Sequence, residues 1–310
     1  MKLRRQRIAL AGVALTLLPL SACDGEPSAD HSAAQSAAQS AAQSAGELMV
    51  TTTGGQLEGF RAAGVRRWRG IPFAAPPVGD LRWRPPADPE PWSGVREARA
   101  YGATCLQGPS SGLGLIDLEG GSEDCLTLNV TRPDDHREDL PVMVWIHGGS
   151  FLHGSGSQPI YNSEALVARG VVLVTVNYRL GRLGFFAHPA LAGEGDVANF
   201  GLLDQAKALE WVLDDIAAFG GDPDNVTIFG ESAGGASVNA LMASPAARGL
   251  FTKAISQSGL GREASESLDD ARADGQRLVD GLGLADPDAD ELRDLPADQV
   301  MRLPLDLTPG

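Results

Sequence analysis

The chain has 310 residues, 43% hydrophobic and 21% charged, which excludes a chain disordered throughout, a collagen and a disulfide-dense miniprotein. Its formal charge is −15, from 25 basic and 40 acidic residues, with no basic cluster outside the extreme N-terminus. That balance repels phosphate backbones, so no nucleic-acid partner is expected, and nothing in the sequence points to a metal or an organic cofactor.

The N-terminus has the pattern of an export signal. Lys2, Arg4, Arg5 and Arg7 precede an apolar run of 13 residues from Ile8 to Leu20. At about 1.5 Å per residue such a run is too short to cross a bilayer core of roughly 30 Å, so it predicts a cleaved signal rather than a membrane helix. It closes on Leu20-Ser21-Ala22-Cys23, which resembles the lipobox of bacterial lipoproteins. That resemblance implies cleavage after residue 22 and lipid on Cys23, with the chain held on the outer face of a bacterial membrane. A conventional signal and a secreted protein with an incidental Cys23 is the alternative. Residues 23–47 contain a repeated Ser-Ala-Ala-Gln unit without bulky apolar side chains, as expected of a disordered tether. The folded body is expected over 48–310.

Export bears on the other two cysteines. Cys105 and Cys125 are free to pair in an oxidising compartment, the alternative being two buried thiols.

The body reads as α/β. Pro141 to Ile146 is a continuous apolar run, as expected of a strand covered on both faces, and Val171 to Val176 is a second, β-branched one. Leu202, Ala206, Leu209, Leu213 and Ile216 recur at spacings of three and four and define a helix that stops at Gly220-Gly221. Val226 to Phe229 predicts the next strand, Ser232 to Met242 a helix, and Ala254 to Ser256 a further strand. Such alternation implies a mostly parallel sheet covered by helices. From Glu263 onward the chain is acidic, with a helical pattern carried by Leu278, Val279, Leu282 and Leu284.

Two motifs fall at strand ends. Gly230-Glu231-Ser232-Ala233-Gly234 is a Gly-x-Ser-x-Gly pentad, weak alone but placed here between a strand and a helix. In that position it predicts a tight turn that lifts Ser232 clear of the sheet at the positive end of a helix. His147-Gly148-Gly149 follows the strand ending at Ile146. Its two glycines allow backbone N–H groups to face a developing oxyanion, and the N–H of Ala233 would supply a third donor.

Together with Arg69–Gly79, Glu123–Val130, Asn199–Gln205 and Phe219–Pro223, these motifs give the sequence a strong resemblance to the type-B carboxylesterases, the cholinesterase-like branch of the α/β-hydrolase fold. The resemblance implies Ser232 as nucleophile, Gly148, Gly149 and Ala233 as oxyanion donors, and a small-molecule ester as substrate. It implies a Cys105–Cys125 disulfide, structural ion pairs of Arg82 with Glu123 and Arg179 with Asp204, and a framework role for Glu231 with its side chain directed away from the serine. In cholinesterases the loop closed by this disulfide carries a Trp that stacks on the choline cation. Residues 106–124 hold no aromatic residue, so choline esters are not the expected substrates.

The serine mechanism also needs a carboxylate and a His, which in this fold follow the nucleophile in chain order. All five His, at 31, 136, 147, 153 and 188, precede Ser232, and none matches the family's base. The expectation is a C-terminally incomplete hydrolase fold without its triad acid and His. A catalytically inactive cholinesterase-like binding module and a non-functional gene fragment are the alternatives. Retention of Ser232 and both glycines argues against the module.

Overall fold

The fold is described from a computed structural model of residues 48–108, 121–192, 198–259 and 267–301. The signal, Cys23 and the tether lie outside these residues, as do the tip of the 105–125 loop and the last nine residues. In chain order the elements are β1 (Met49–Thr52), β2 (Gly55–Glu58), β3 (Phe60–Ala62), β4 (Val65–Pro72), β5 (Val95–Glu97), β6 (Thr127–Pro133) and β7 (Leu140–Ile146). Then follow α1 (Glu164–Val167), β8 (Val172–Val176), α2 (Gly181–Gly184), α3 (Phe200–Asp215), β9 (Gly221–Glu231), α4 (Ala233–Ala243) and β10 (Lys253–Gln257). Three helices close the described chain: α5 (Leu268–Asp280), α6 (Ala289–Arg293) and α7 (Ala297–Met301).

Among the described residues, seven strands form one sheet in the order β10-β9-β7-β8-β6-β4-β3. The strands legible as apolar runs, β7 to β10, are parallel to one another. The other half, β8-β6-β4-β3, is antiparallel, so the sheet is mixed. The sequence hides that half because β4 begins Val65-Arg66-Arg67-Trp68-Arg69, a run with three guanidiniums. Arg66 and Arg67 are nevertheless buried, Arg66 on Asp134 at 2.8 Å and Arg67 on Glu164, with a further bond of 3.1 Å from Arg67 to Asn162. A buried charge is tolerated only when paired in this way.

The two faces of the sheet are covered unequally. Val142, Val144 and Ile146 of β7 join Val226 and Ile228 of β9 in the main core, against Ala206, Leu209 and Val212 of α3 and Val238 and Leu241 of α4. Complete burial of such a side chain is worth about 1.5–3 kcal/mol, so this layer dominates the fold's stability. The alternate residues, Trp145 of β7 and Phe229 of β9, lie on the opposite face and are only partly buried, around a small cluster of Val65, Val167 and Leu173. The expected double covering of β7 is therefore corrected to one buried and one half-open face, against which the single-turn α1 and Tyr161 pack, the Tyr161 ring 5.0 Å from that of Trp145. Of the anticipated stripe, helix α3 buries Ala206 and Leu209 and the turn after it Ile216, whereas Leu202 and Leu213 stay half-buried and Trp211 and Val212 bury instead. The helix ends through a 3-10 turn at Gly220, whose φ of +73° suits a residue without Cβ. Val279, Leu292 and Val300 of α5 to α7 bury in a separate cluster with Trp83, Phe186 and Phe200.

Candidate active site

Ser232 stands between β9 and α4 with φ +56° and ψ −122°. An L-residue pays about 1–3 kcal/mol for such a conformation and holds it only where its surroundings impose it. The imposition is visible. The Ser232 N–H donates to the Gln257 carbonyl at 2.9 Å, tying the turn to the end of β10, and its carbonyl accepts from Ala236 N–H at 2.9 Å. The flanking glycines are steric necessities: a Cβ on Gly230 would lie 2.5 Å from Gly234, and one on Gly234 would lie 2.1 Å from the Ile146 carbonyl oxygen. Ala233 is buried in the first turn of α4, where backbone N–H groups have no intrahelical acceptor.

The loop after β7 comes directly against this turn. A Cβ built on Gly148 would stand 3.2 Å from the Ser232 Cβ and 2.6 Å from the Glu231 carbonyl oxygen. Gly149, Ser150 and Phe151 follow with φ of +109°, +56° and +59°, three left-handed residues in succession. Leu152 and His153 both donate to the Gly149 carbonyl, at 2.9 and 3.0 Å. His147 is fully buried, and burial lowers its pKa to about 4 despite a backbone hydrogen bond that works the other way. Its Nδ1 lies 2.8 Å from the Gly148 carbonyl; a carbonyl only accepts, so Nδ1 carries the proton. The ring stacks on Tyr178 with centroids 4.3 Å apart, and the Tyr178 hydroxyl donates to the His147 carbonyl at 2.8 Å. Burial raises that phenol well above its ordinary range, so it remains a donor.

Cys105 and Cys125 form a disulfide. Arg82 grips Glu123 through two bonds of 2.7 and 2.6 Å and also donates to the carbonyls of Arg293 and Leu295. Arg179 and Asp204, both buried, form a two-pronged pair at 2.8 and 2.7 Å, and Asp204 accepts the Arg179 N–H as well. Glu231 is exposed, with Oε2 3.2 Å from where a Cβ on Gly148 would stand. It lines a cavity of about 560 Å³ with Trp145, Tyr161, Phe229 and Gln257. The Tyr161 phenol there is raised, first by burial and then by the Glu231 charge.

Of the other histidines within the described residues, His136 is exposed and His188 buried, its Nδ1 accepting from the Ala190 N–H. His153 is half-buried at the end of the oxyanion-type loop. Sequence reasoning missed two buried amides, Gln107 and Asn177, that hold the segment after this loop. A lone amide in a Gly- and Ser-rich context carries no periodicity or spacing that would reveal it. Among the described residues no group of His, Cys, Asp and Glu is arranged to hold a metal, and no helix is long and apolar enough to cross a membrane.

A strained serine between a parallel strand and a helix, with a glycine loop from the neighbouring strand packed against it, defines the α/β-hydrolase architecture. The carboxylesterase family profile matches residues 46–301, and the chain belongs to that family. It is 48% identical over 257 residues to a para-nitrobenzyl esterase of Bacillus subtilis, covering 82% of this chain and 52% of the relative. It is 46% identical to a fumonisin B1 esterase of Sphingopyxis macrogoltabida, covering 79% and 46%. A solved para-nitrobenzyl esterase superposes with a TM-score of 0.77 at 47% identity, covering 83% of this chain and 53% of that one. A Geobacillus stearothermophilus carboxylesterase does so with 0.75 at 43%, covering 83% and 54%. The chain thus spans about half the length of the relatives it matches.

Proposed function

We propose that this chain carries the nucleophile and oxyanion half of a carboxylic ester hydrolase. Ser232 Oγ attacks the ester carbonyl, the N–H groups of Gly148, Gly149 and Ala233 receive the tetrahedral oxygen, and the alcohol leaves to give an acyl-serine that water resolves. Losing one such donor typically costs about 3 kcal/mol of transition-state stabilisation. The observation that carries this reading is the left-handed Ser232 packed against Gly148, since a merely structural turn gains nothing from that strain. The relatives' names place them with esters of small molecules, and a small ester is the substrate class proposed here. The triad acid and His are assigned to no residue of this chain. The proposal extends to the cell: residues 1–22 direct export, and lipid on Cys23 holds the body at a membrane through the 23–47 tether.

A p-nitrophenyl alkylphosphonate tests the site without requiring turnover. Ser232 Oγ forms the bond to phosphorus, p-nitrophenolate leaves, and the serine proton passes to solvent. Intact-mass analysis is expected to show one phosphonyl adduct on the folded chain and none on Ser232→Ala. A folded chain that takes up no adduct, or an unchanged adduct on Ser232→Ala, contradicts the assignment.

A further inference from the structure

We propose that Gln107 is a positioning residue for the oxyanion loop, coupling that loop to the Cys105–Cys125 disulfide; this rests on the reading of Ser232 and Gly148 given above. The Gln107 side chain is buried and uses both ends of its amide. Oε1 accepts from the Gly154 N–H at 2.9 Å, while Nε2 donates to the Gly154 carbonyl at 3.0 Å and to the Cys105 carbonyl at 3.0 Å. Gly154 in turn lies flat against the start of the loop. With φ of +119°, a Cβ there would stand 2.3 Å from His147 Nδ1 and 2.7 Å from the Gly148 carbonyl oxygen. Gln107 therefore clamps the peptide that packs on the His147–Gly148 unit.

The loop needs such clamps. Gly149, Ser150 and Phe151 are all left-handed, and strained backbone persists only when its environment over-determines it. At its start the loop is held by Tyr178 on the His147 carbonyl, and in the middle by Gly181 N–H on the Phe151 carbonyl at 2.8 Å. Gln107 fixes the end. Asn177 extends the clamp by one more step, accepting from Gly156 N–H and the Ser155 hydroxyl while donating to the carbonyls of Ala103 and Cys125. Two buried amides thus fasten residues 154–156 to both arms of the disulfide loop. A loosened loop misplaces donors at the oxyanion while leaving the substrate's other contacts alone.

The test compares phosphonylation rates of the whole chain, as wild type, Gln107→Ala and Gln107→Glu, with urea melts of each. Gln107→Ala is expected to react at least tenfold more slowly than wild type under conditions where both are folded. The Glu variant supplies a readout that a packing role would not move. A protonated carboxyl is an isostere of the amide, donating to one Gly154 group and accepting from the other, whereas an ionised carboxylate faces carbonyls it repels. Its rate relative to wild type is therefore expected to rise towards one as the pH falls, while the Gln107→Ala ratio stays flat. A folded Gln107→Ala reacting at the wild-type rate overturns the proposal. Should the alanine variant fail to fold, a pH-independent ratio for Gln107→Glu overturns it equally. If the wild-type chain takes no label, the nucleophile assignment falls first, and amide exchange at Leu152 and His153 judges the clamp. Faster exchange in Gln107→Glu at neutral pH supports it, and unchanged exchange overturns it.

Discussion

At Gly234 a single methyl group would meet the Ile146 carbonyl oxygen at 2.1 Å, and that oxygen belongs to β7, which is paired on both sides within the sheet. Backbone in the middle of a sheet has nowhere to retreat. Gly234→Ala is therefore expected to cost about 3 kcal/mol or more, measured as a lowered urea midpoint relative to wild type. A midpoint within error of wild type would show that strand and helix are not pressed together at the elbow. The pentad's glycines were legible in the sequence because this contact dictates them. The Gln107 clamp was not legible, since nothing local distinguishes a buried amide bonding to a residue 47 positions away from one in solvent. Glu231 lay between these cases: its neighbourhood was readable, but its exposure depends on how the far face of the sheet is covered.

Among elements, the segment leading from the disulfide to β6 is held by Asn177, which donates to the Cys125 carbonyl at 3.1 Å. Cys105 and Cys125 close a loop with a sequence separation of 20. On the chain-entropy account such a closure contributes on the order of 3 kcal/mol by restricting the unfolded chain. The double variant Cys105→Ser, Cys125→Ser is expected to lose stability of that order in urea unfolding; an unchanged midpoint would contradict it. The parallel strands could be read directly from their apolar runs, and α3 from its stripe. The antiparallel strands β3, β4 and β6 could not, because buried arginines mask β4 and their carboxylate partners Asp134 and Glu164 lie 68 and 97 residues away. Composition reports what a side chain is, and long-range pairing decides whether its charge can be buried.

For the whole molecule, the buried imidazoles bear on the response to pH. Burial holds His147 at about 4, against an ordinary value of 6.5. Between those two values the unfolded chain binds a proton that the folded chain does not, so stability falls as the pH drops through that window. The difference is worth about 3 kcal/mol for His147 alone. His188, also lowered by burial, acts in the same direction. Asp215, raised mainly by burial, opposes it over the acid end, while the lowered carboxyls of Asp134 and Asp135 matter only below the window. Urea midpoints at pH 7 and pH 4.5 are expected to differ markedly in wild type and less in His147→Gln. Equal slopes in the two proteins would show that His147 is not buried neutral.

On the function proposed above, the fold, and not the mere presence of a serine, makes Ser232 reactive. Peptide mapping after phosphonate treatment decides this. Trypsin releases residues 208–248 as one peptide, in which Ser232 is accompanied by Ser237 and Ser244. A single adduct is expected, on Ser232, and it is absent when the reaction is run in denaturing urea. Label spread over several serines, or an equal yield of the Ser232 adduct when the reaction is run in denaturing urea, would contradict it.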